Sequence, residues 1–70
     1  MSNYKTRATP MKGLEAIIKE KGYNLHSFSV QAGLRYLNVY RWVHGIYEPS
    51  LKDVKRMANF LGVSIDDLVA

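Results

Sequence analysis

Hydrophobic residues recur every three to four positions along most of the chain, which is the spacing of one face of an α-helix. The first such stretch runs from Pro10 to about Lys21, and later ones cover Leu25 to Ala32 and Tyr36 to His44. Two more begin after Ser50 and Ser64. No segment alternates with the two-residue period of a β-strand over more than a few residues. The pattern therefore predicts an all-α chain of five short helices.

The same spacing predicts which side chains form the hydrophobic core. The inward positions are Met11, Leu14, Ile17 and Ile18 in the first helix; Leu25, Phe28 and Ala32 in the second; Val39, Trp42 and Val43 in the third; Leu51, Val54, Met57, Ala58 and Leu61 in the fourth; and Ile65 and Leu68 in the last. Phe60 and Val69 fit either the edge of this core or a dimer contact.

Polar residues and glycines mark the predicted helix ends. Thr9 followed by Pro10 is typical of a helix start, and Asn24 is a suitable cap for the second helix. Ser50 and Ser64 each precede an aspartate by three residues, which is the spacing of a capping box. Gly13 lies inside the first helix, where glycine costs about 1 kcal/mol relative to alanine.

Length and composition restrict the possible functions. Seventy residues without cysteine form one small domain, predicted over residues 10–70, with no disulfide, zinc ribbon or thiol chemistry. A core of this size leaves no room for a catalytic cleft, so we expect no enzymatic activity, no cofactor and no metal site. No stretch has the length of a signal peptide or a membrane span, which favours a cytoplasmic protein that does not enter a membrane.

The charge balance favours a polyanionic partner. Ten lysines and arginines against six acidic residues give a net charge of +4. Residues 1–9 contain little to bury and carry Lys5 and Arg7, so they are predicted to form a flexible basic arm. Arg35 and Arg41 add positive charge to the middle of the chain.

Two short helices joined by a glycine-containing turn form the motif that points most directly to a function. The helices predicted over 25–32 and 36–44 are separated by Gly33 and Leu34, which is the arrangement of a helix-turn-helix at about residues 25–44. The second helix of such a unit fits the major groove of DNA, which is about 12 Å wide.

The chain from Leu14 to Leu68 resembles the lambda-repressor-like helix-turn-helix family, the group of Cro and the phage repressors. The matching landmarks are Gly22, Phe28, Ala32-Gly33, Val39, Trp42, Gly45, Pro49-Ser50-Leu51, Ala58 and the closing segment from Leu61 to Leu68. The resemblance implies a five-helix DNA-binding domain. It also implies a sequence-specific transcriptional regulator that binds double-stranded DNA, acting as a homodimer on a two-fold site.

Candidate binding residues follow from this resemblance and from the helical period. The outward positions of the third helix, which becomes the recognition helix, are Tyr36, Leu37, Tyr40, Arg41 and His44. Arg35 lies at the start of that helix and Tyr47 in the loop after it. Lys52 resembles a family contact to the DNA backbone, and Lys5 and Arg7 resemble the basic arms of some members.

Several positions depart from the family pattern. Leu25 replaces a glutamine that contacts phosphate, Ser29 replaces a close-packing alanine, and the loop Ile46-Tyr47-Glu48 is not basic. An apolar, aromatic face of this kind also suits a protein partner. The alternative function is therefore an antirepressor, which binds a partner repressor and blocks its DNA-binding surface.

A further departure concerns the core. Many family members have a partly buried arginine–glutamate pair where this chain has Ile18 and Val43. Well-packed apolar residues can replace a buried ion pair without loss of stability. We therefore expect Ile18 and Val43 to touch.

Overall fold

Five helices make up the protein in a computed structural model that describes residues 11–69. They are α1 (Lys12–Glu20), α2 (Leu25–Ala32), α3 (Tyr36–Val43), α4 (Leu51–Leu61) and α5 (Ile65–Val69). Within this described range no residue forms a β-strand. The predicted all-α class is confirmed, α2 has the predicted bounds, and α3 ends one residue early.

Helix α1 begins at Lys12, so the predicted start at Pro10 is wrong. Thr9 and Pro10 themselves lie outside the described residues. Met11 is not helical (φ −91°, ψ 76°) and provides no side-chain cap. Its side chain is buried and its N–H donates to the Trp42 carbonyl at 3.3 Å. The backbone at Met11 therefore joins α1 to α3 instead of forming a first helical turn.

The other predicted caps are present. The Asn24 side chain accepts the backbone N–H three residues further on, as an N-cap does. Ser50 Oγ accepts the Asp53 N–H at 3.2 Å. At α5, Ser64 Oγ accepts the Asp67 N–H at 3.3 Å, while the Asp67 carboxylate accepts the Ser64 N–H at 3.2 Å. Each cap satisfies backbone donors that the first turn of a helix leaves free.

One hydrophobic core joins all five helices. Its buried members are Met11, Leu14, Ile18, Phe28, Ala32, Val39, Trp42, Val43, Met57, Ala58, Leu61 and Leu68. All twelve were predicted from the helical period. Ile17, Leu25 and Val54 lie at the edge of this core and are partly buried. Ile18 and Val43 are both buried in it, so apolar side chains occupy the position of the family's ion pair.

Two predicted core residues are exposed. Leu51 is 63% exposed and Ile65 is 37% exposed. Each is the first residue of its helix. The buried residues of α4 lie in its second half, from Met57 onward, and Val54 before them is only partly buried. Periodicity identifies the correct face of a helix, but it does not show where along the helix the covering elements stop.

Phe60 belongs to the edge of the core. Its ring centroid lies 5.6 Å from that of Phe28 and 5.7 Å from that of Tyr23. The Tyr23 and Phe28 rings are 6.3 Å apart and meet edge to face. These three rings form one aromatic cluster, which leaves Phe60 37% exposed.

Gly13 allows α1 to approach α5. A Cβ at this position would lie 3.0 Å from the Leu68 carbonyl carbon and closer still to the Asp67 carbonyl oxygen. Both are backbone atoms, so neither can rotate away. From the sequence, Gly13 was interpreted only as a residue that weakens α1. This interpretation was incomplete, because the absence of a side chain at Gly13 provides the space that the backbone of α5 occupies.

The close approach at Gly13 predicts the sign of a substitution effect. Gly13→Ala is expected to lower the free energy of unfolding by about 1–3 kcal/mol through overpacking, although helix propensity alone would raise it by about 1 kcal/mol. Urea denaturation followed by circular dichroism measures the change. Ala16→Gly, at an exposed position of α1, is the control and should lose only the propensity difference. A more stable Gly13→Ala variant would contradict the packing of α1 on α5.

Candidate nucleic-acid interface

The turn between α2 and α3 is closed by a left-handed glycine. Gly33 has φ 74° and ψ 32°, a region that side chains with a Cβ rarely adopt. The Leu34 N–H donates to the Ser29 carbonyl at 2.8 Å and the Gly33 N–H to the Val30 carbonyl at 3.3 Å. These two bonds end α2, and the extended backbone at Arg35 (φ −81°, ψ 134°) begins α3.

Two residues of α2, Leu25 and Ser29, differ from the family pattern, and each is accommodated by packing or hydrogen bonding. Ser29 is 1% exposed, and its hydroxyl donates to the His26 carbonyl at 2.7 Å. The buried polar group is thus satisfied inside its own helix. Leu25 is partly buried against the core, so its side chain packs inward at the position where the family has a phosphate-contacting glutamine.

Three buried residues fix the rotation of α3. Val39, Trp42 and Val43 enter the core, and the helical period turns the remaining positions outward. Tyr36 is 44%, Leu37 51% and Tyr40 38% exposed, and His44 is also exposed. Arg41 is on the same outward side but is partly buried.

Four aromatic rings line one flank of α3. The centroids of His26 and Tyr36 are 5.9 Å apart, those of Tyr36 and Tyr40 6.3 Å, and those of Tyr40 and His44 4.2 Å. We call these four residues the aromatic row. Tyr36 and Tyr40 of α3 and His44, which caps that helix, have the i, i+4 spacing that brings side chains together on a helix. His26 was missed because its contact comes from α2 and depends on how the two helices pack.

The loop after α3 folds back onto Arg41. The Ile46 N–H donates to the Arg41 carbonyl at 2.8 Å, and Gly45 permits this reversal with a left-handed φ of 73°. The Arg41 guanidinium carbon then lies 5.3 Å from the centroid of the Tyr47 ring, which is within cation–π distance. Tyr47 itself is 58% exposed.

An open groove of about 340 Å³ runs along the flank of α3 opposite the aromatic row. The residues that line it are Asn38, Arg41, Trp42, Tyr47, Glu48, Pro49, Ser50 and Asp53. It contains one cationic and two acidic side chains. The outward surface of α3 therefore has an aromatic flank and a polar flank, and Arg41 belongs to the polar one.

Other basic residues lie at the helix ends around α3. Arg35 is exposed at the start of α3 and Lys52 in the first turn of α4. The structure adds Arg56, whose Nη1 lies 3.5 Å from the place of a Cβ on Gly33. No local signal in α4 indicated that Arg56 would reach the turn between α2 and α3. Lys5 and Arg7 lie outside the described residues.

No group of three or more histidine, cysteine or acidic side chains within residues 11–69 is arranged to hold a metal ion. No helix in that range is long and apolar enough to cross a membrane.

Comparison with known families decides the classification. A helix-turn-helix family model matches residues 14–68, more than three quarters of the chain. The chain belongs to the lambda-repressor-like helix-turn-helix family. This family consists of DNA-binding regulators and is not typically enzymatic. No curated protein and no solved structure gives a significant match to this helix-turn-helix protein.

Substitutions on the two faces of α3 are expected to lower stability by very different amounts. Trp42 is 5% exposed, so Trp42→Ala should cost about 3–5 kcal/mol and largely unfold so small a domain. Tyr40→Ala removes an outward ring and should cost less than about 1 kcal/mol. Thermal denaturation of both variants measures the difference. Equal losses would show that α3 is rotated relative to the arrangement described.

Proposed function

We propose that this protein is a small sequence-specific transcriptional regulator of the phage or mobile-element repressor kind, which inserts α3 into the major groove of DNA. The observation that carries the proposal is the division of α3 into two faces. Val39, Trp42 and Val43 hold the helix in the core, and the opposite side exposes Tyr36, Leu37 and Tyr40. That face belongs to the second helix of a helix-turn-helix, the element that enters the groove in this motif.

The side chains on this face have the chemistry of base and phosphate contacts. Arg41 can donate two hydrogen bonds to one guanine, and Leu37 can contact the methyl group of thymine. The hydroxyl groups of Tyr36 and Tyr40 and the ring of His44 can bond to phosphates or base edges. The proposed operator is therefore read by a mixture of polar and apolar contacts.

Phosphate contacts come from basic residues on either side of α3. Arg35 and Lys52 are exposed at helix starts, where backbone N–H groups also favour anions. We assign the same role to Lys5 and Arg7, in the arm that the sequence predicts over residues 1–9. The bond from the Met11 N–H to the Trp42 carbonyl supports this, because it brings the chain that follows the arm next to α3.

A homodimer on a two-fold operator completes the proposed mechanism. Two copies of α3 would occupy successive major grooves about 34 Å apart on one side of the duplex. Bound at a promoter, the pair would exclude the transcription machinery. This dimer is part of the proposal and follows from the family's mode of action.

A charge placed at the centre of the outward face tests the proposal. Leu37 is 51% exposed, so Leu37→Glu should fold normally but place a carboxylate against DNA. We expect it to weaken binding to a duplex selected by the wild-type protein by at least about 100-fold, because like charges brought together cost several kcal/mol.

Ala16→Glu is the matched control, since it makes the same charge change at an exposed position of α1. It should alter affinity only slightly, through the net charge. Fluorescence anisotropy with a labelled duplex measures both variants, and circular dichroism checks their folding. Equal affinities of two folded variants would exclude α3 as the DNA-contacting helix.

The second candidate function is an antirepressor, and the loop after α3 favours it. Ile46 and Tyr47 are 41% and 58% exposed, and Glu48 adds a negative charge where a DNA-binding loop is often basic. Exposed apolar groups of this kind suit a protein interface. In this function the aromatic face binds a partner repressor and covers its DNA-binding surface.

Glu48→Lys separates the two functions. If DNA lies against the loop, replacing the carboxylate with an ammonium group should strengthen binding to a random duplex about three- to tenfold at low salt, through added phosphate attraction. If the loop meets a protein, DNA binding should remain absent and only the partner complex should weaken. Anisotropy titrations of the variant and the wild type at two salt concentrations distinguish these outcomes.

A further inference from the structure

We infer that Tyr47 positions Arg41 for a bidentate contact to guanine, and that this pair is the main base-reading element of the α3 surface. The inference rests on the proposed DNA-binding function and adds to it a base preference and a residue outside α3. Its evidence is the packing of the Arg41 guanidinium against the Tyr47 ring and the reversal of the backbone that brings Tyr47 back to Arg41.

Arg41 occupies the outward side of α3 and is nevertheless only partly exposed. The Tyr47 ring supplies part of this cover, since its centroid is 5.3 Å from the guanidinium carbon. A long arginine side chain normally loses rotational freedom when it binds. A contact that restricts it beforehand reduces that loss and favours one bound geometry.

An aromatic partner restricts the guanidinium without using its hydrogen-bond donors. The attraction acts between the cation and the π-face of the ring, so the five N–H groups remain available. A carboxylate would instead occupy two of them in a fork-to-fork pair. Glu48 and Asp53 line the same groove, yet within residues 11–69 no carboxylate lies within ion-pair distance of Arg41.

The loop itself is held in place by the backbone of α3. The Ile46 N–H bonds to the Arg41 carbonyl at 2.8 Å, and the Tyr47 N–H approaches the same oxygen at 3.5 Å. The residue that carries the guanidinium therefore also anchors the loop that carries the ring. This makes Tyr47 a positioning residue, whose effect on DNA binding passes through Arg41.

Guanine is the base that fits a preoriented arginine. Its N7 and O6 atoms are two adjacent acceptors in the major groove, and arginine binds both at once. Lysine, a single flexible donor group, does not reproduce this fork. The inference therefore expects one guanine in each half of the operator whose N7 matters for affinity.

The test begins with selection of duplexes from a random library by the full chain. Each guanine of the selected site is then replaced by 7-deazaguanine, which keeps base pairing but removes the N7 acceptor. For the wild-type protein, one such replacement per half-site should weaken binding at least about fivefold, because it removes one of the two acceptors of the bidentate contact. Arg41→Ala should bind the two duplexes nearly equally, and Arg41→Lys, whose ammonium group lacks the fork, should discriminate less than the wild type.

Tyr47 variants test the positioning role. Tyr47→Phe keeps the ring and should keep the wild-type ratio of affinities for the guanine and 7-deazaguanine duplexes. In Tyr47→Leu this ratio should fall about two- to fivefold. Binding of Tyr47→Leu to random duplex should stay unchanged. Ile46→Ala, a neighbouring exposed position of the same loop, is the control and should retain full discrimination. Because Tyr47 is 58% exposed, these variants should have the melting temperature of the wild type.

Three results would overturn the inference. If Tyr47→Phe loses as much affinity as Tyr47→Leu, the hydroxyl contacts DNA directly. If Tyr47→Leu weakens selected and random duplexes equally, Tyr47 has no role in base reading. If Arg41→Ala discriminates like the wild type, another residue reads the guanine. If the protein selects a site whose affinity does not depend on guanine N7, Arg41 or Tyr47, this inference alone is overturned. If the protein selects no site, the proposed function is overturned as well.

Discussion

The burial of one side of α3 is the constraint on which the rest of the structure depends. In an eight-residue helix, Val39, Trp42 and Val43 enter the core, and they fix the rotation of the helix about its axis. Met11 reinforces this attachment through its bond to the Trp42 carbonyl. A helix held on one side only must expose its other side to solvent or to a partner. The candidate interface is therefore a direct consequence of core packing.

Close approaches of backbone determine how the other helices surround α3. Gly13 lets α1 lie against the end of α5 without an intervening side chain. Gly33 reverses the chain between α2 and α3, and Gly45 reverses it again after α3. At the first of these positions glycine supplies space, and at the other two it supplies a left-handed backbone. A domain of this size has few core residues, so each such contact has a large share in its stability.

Helix periodicity predicted the core because the inward side chains repeat along each helix. It failed at Leu51 and Ile65, each the first residue of its helix, because periodicity does not show how far along a helix burial extends. The capping signal that placed the start of α1 at Pro10 also failed, since Met11 uses its backbone for a tertiary contact. The outward residues of α3 were predicted for the same reason as the core. The position of Arg56, the place of His26 in the aromatic row and the packing of Tyr47 on Arg41 were not, because each depends on contacts between separate elements.

The proposed function requires that the surface around α3 binds DNA in a sequence-dependent way, and a salt-dependent binding titration measures this property. The full chain is titrated with the duplex from upstream of its own coding sequence and with random duplex, at several salt concentrations. We expect the protein to prefer the upstream duplex by about a thousandfold or more. We also expect the logarithm of the affinity to fall with the logarithm of the salt concentration with a slope near −4, from about four or five phosphate contacts per protomer. Equal and weak binding of both duplexes would contradict the proposed function and would favour a protein partner for the same surface.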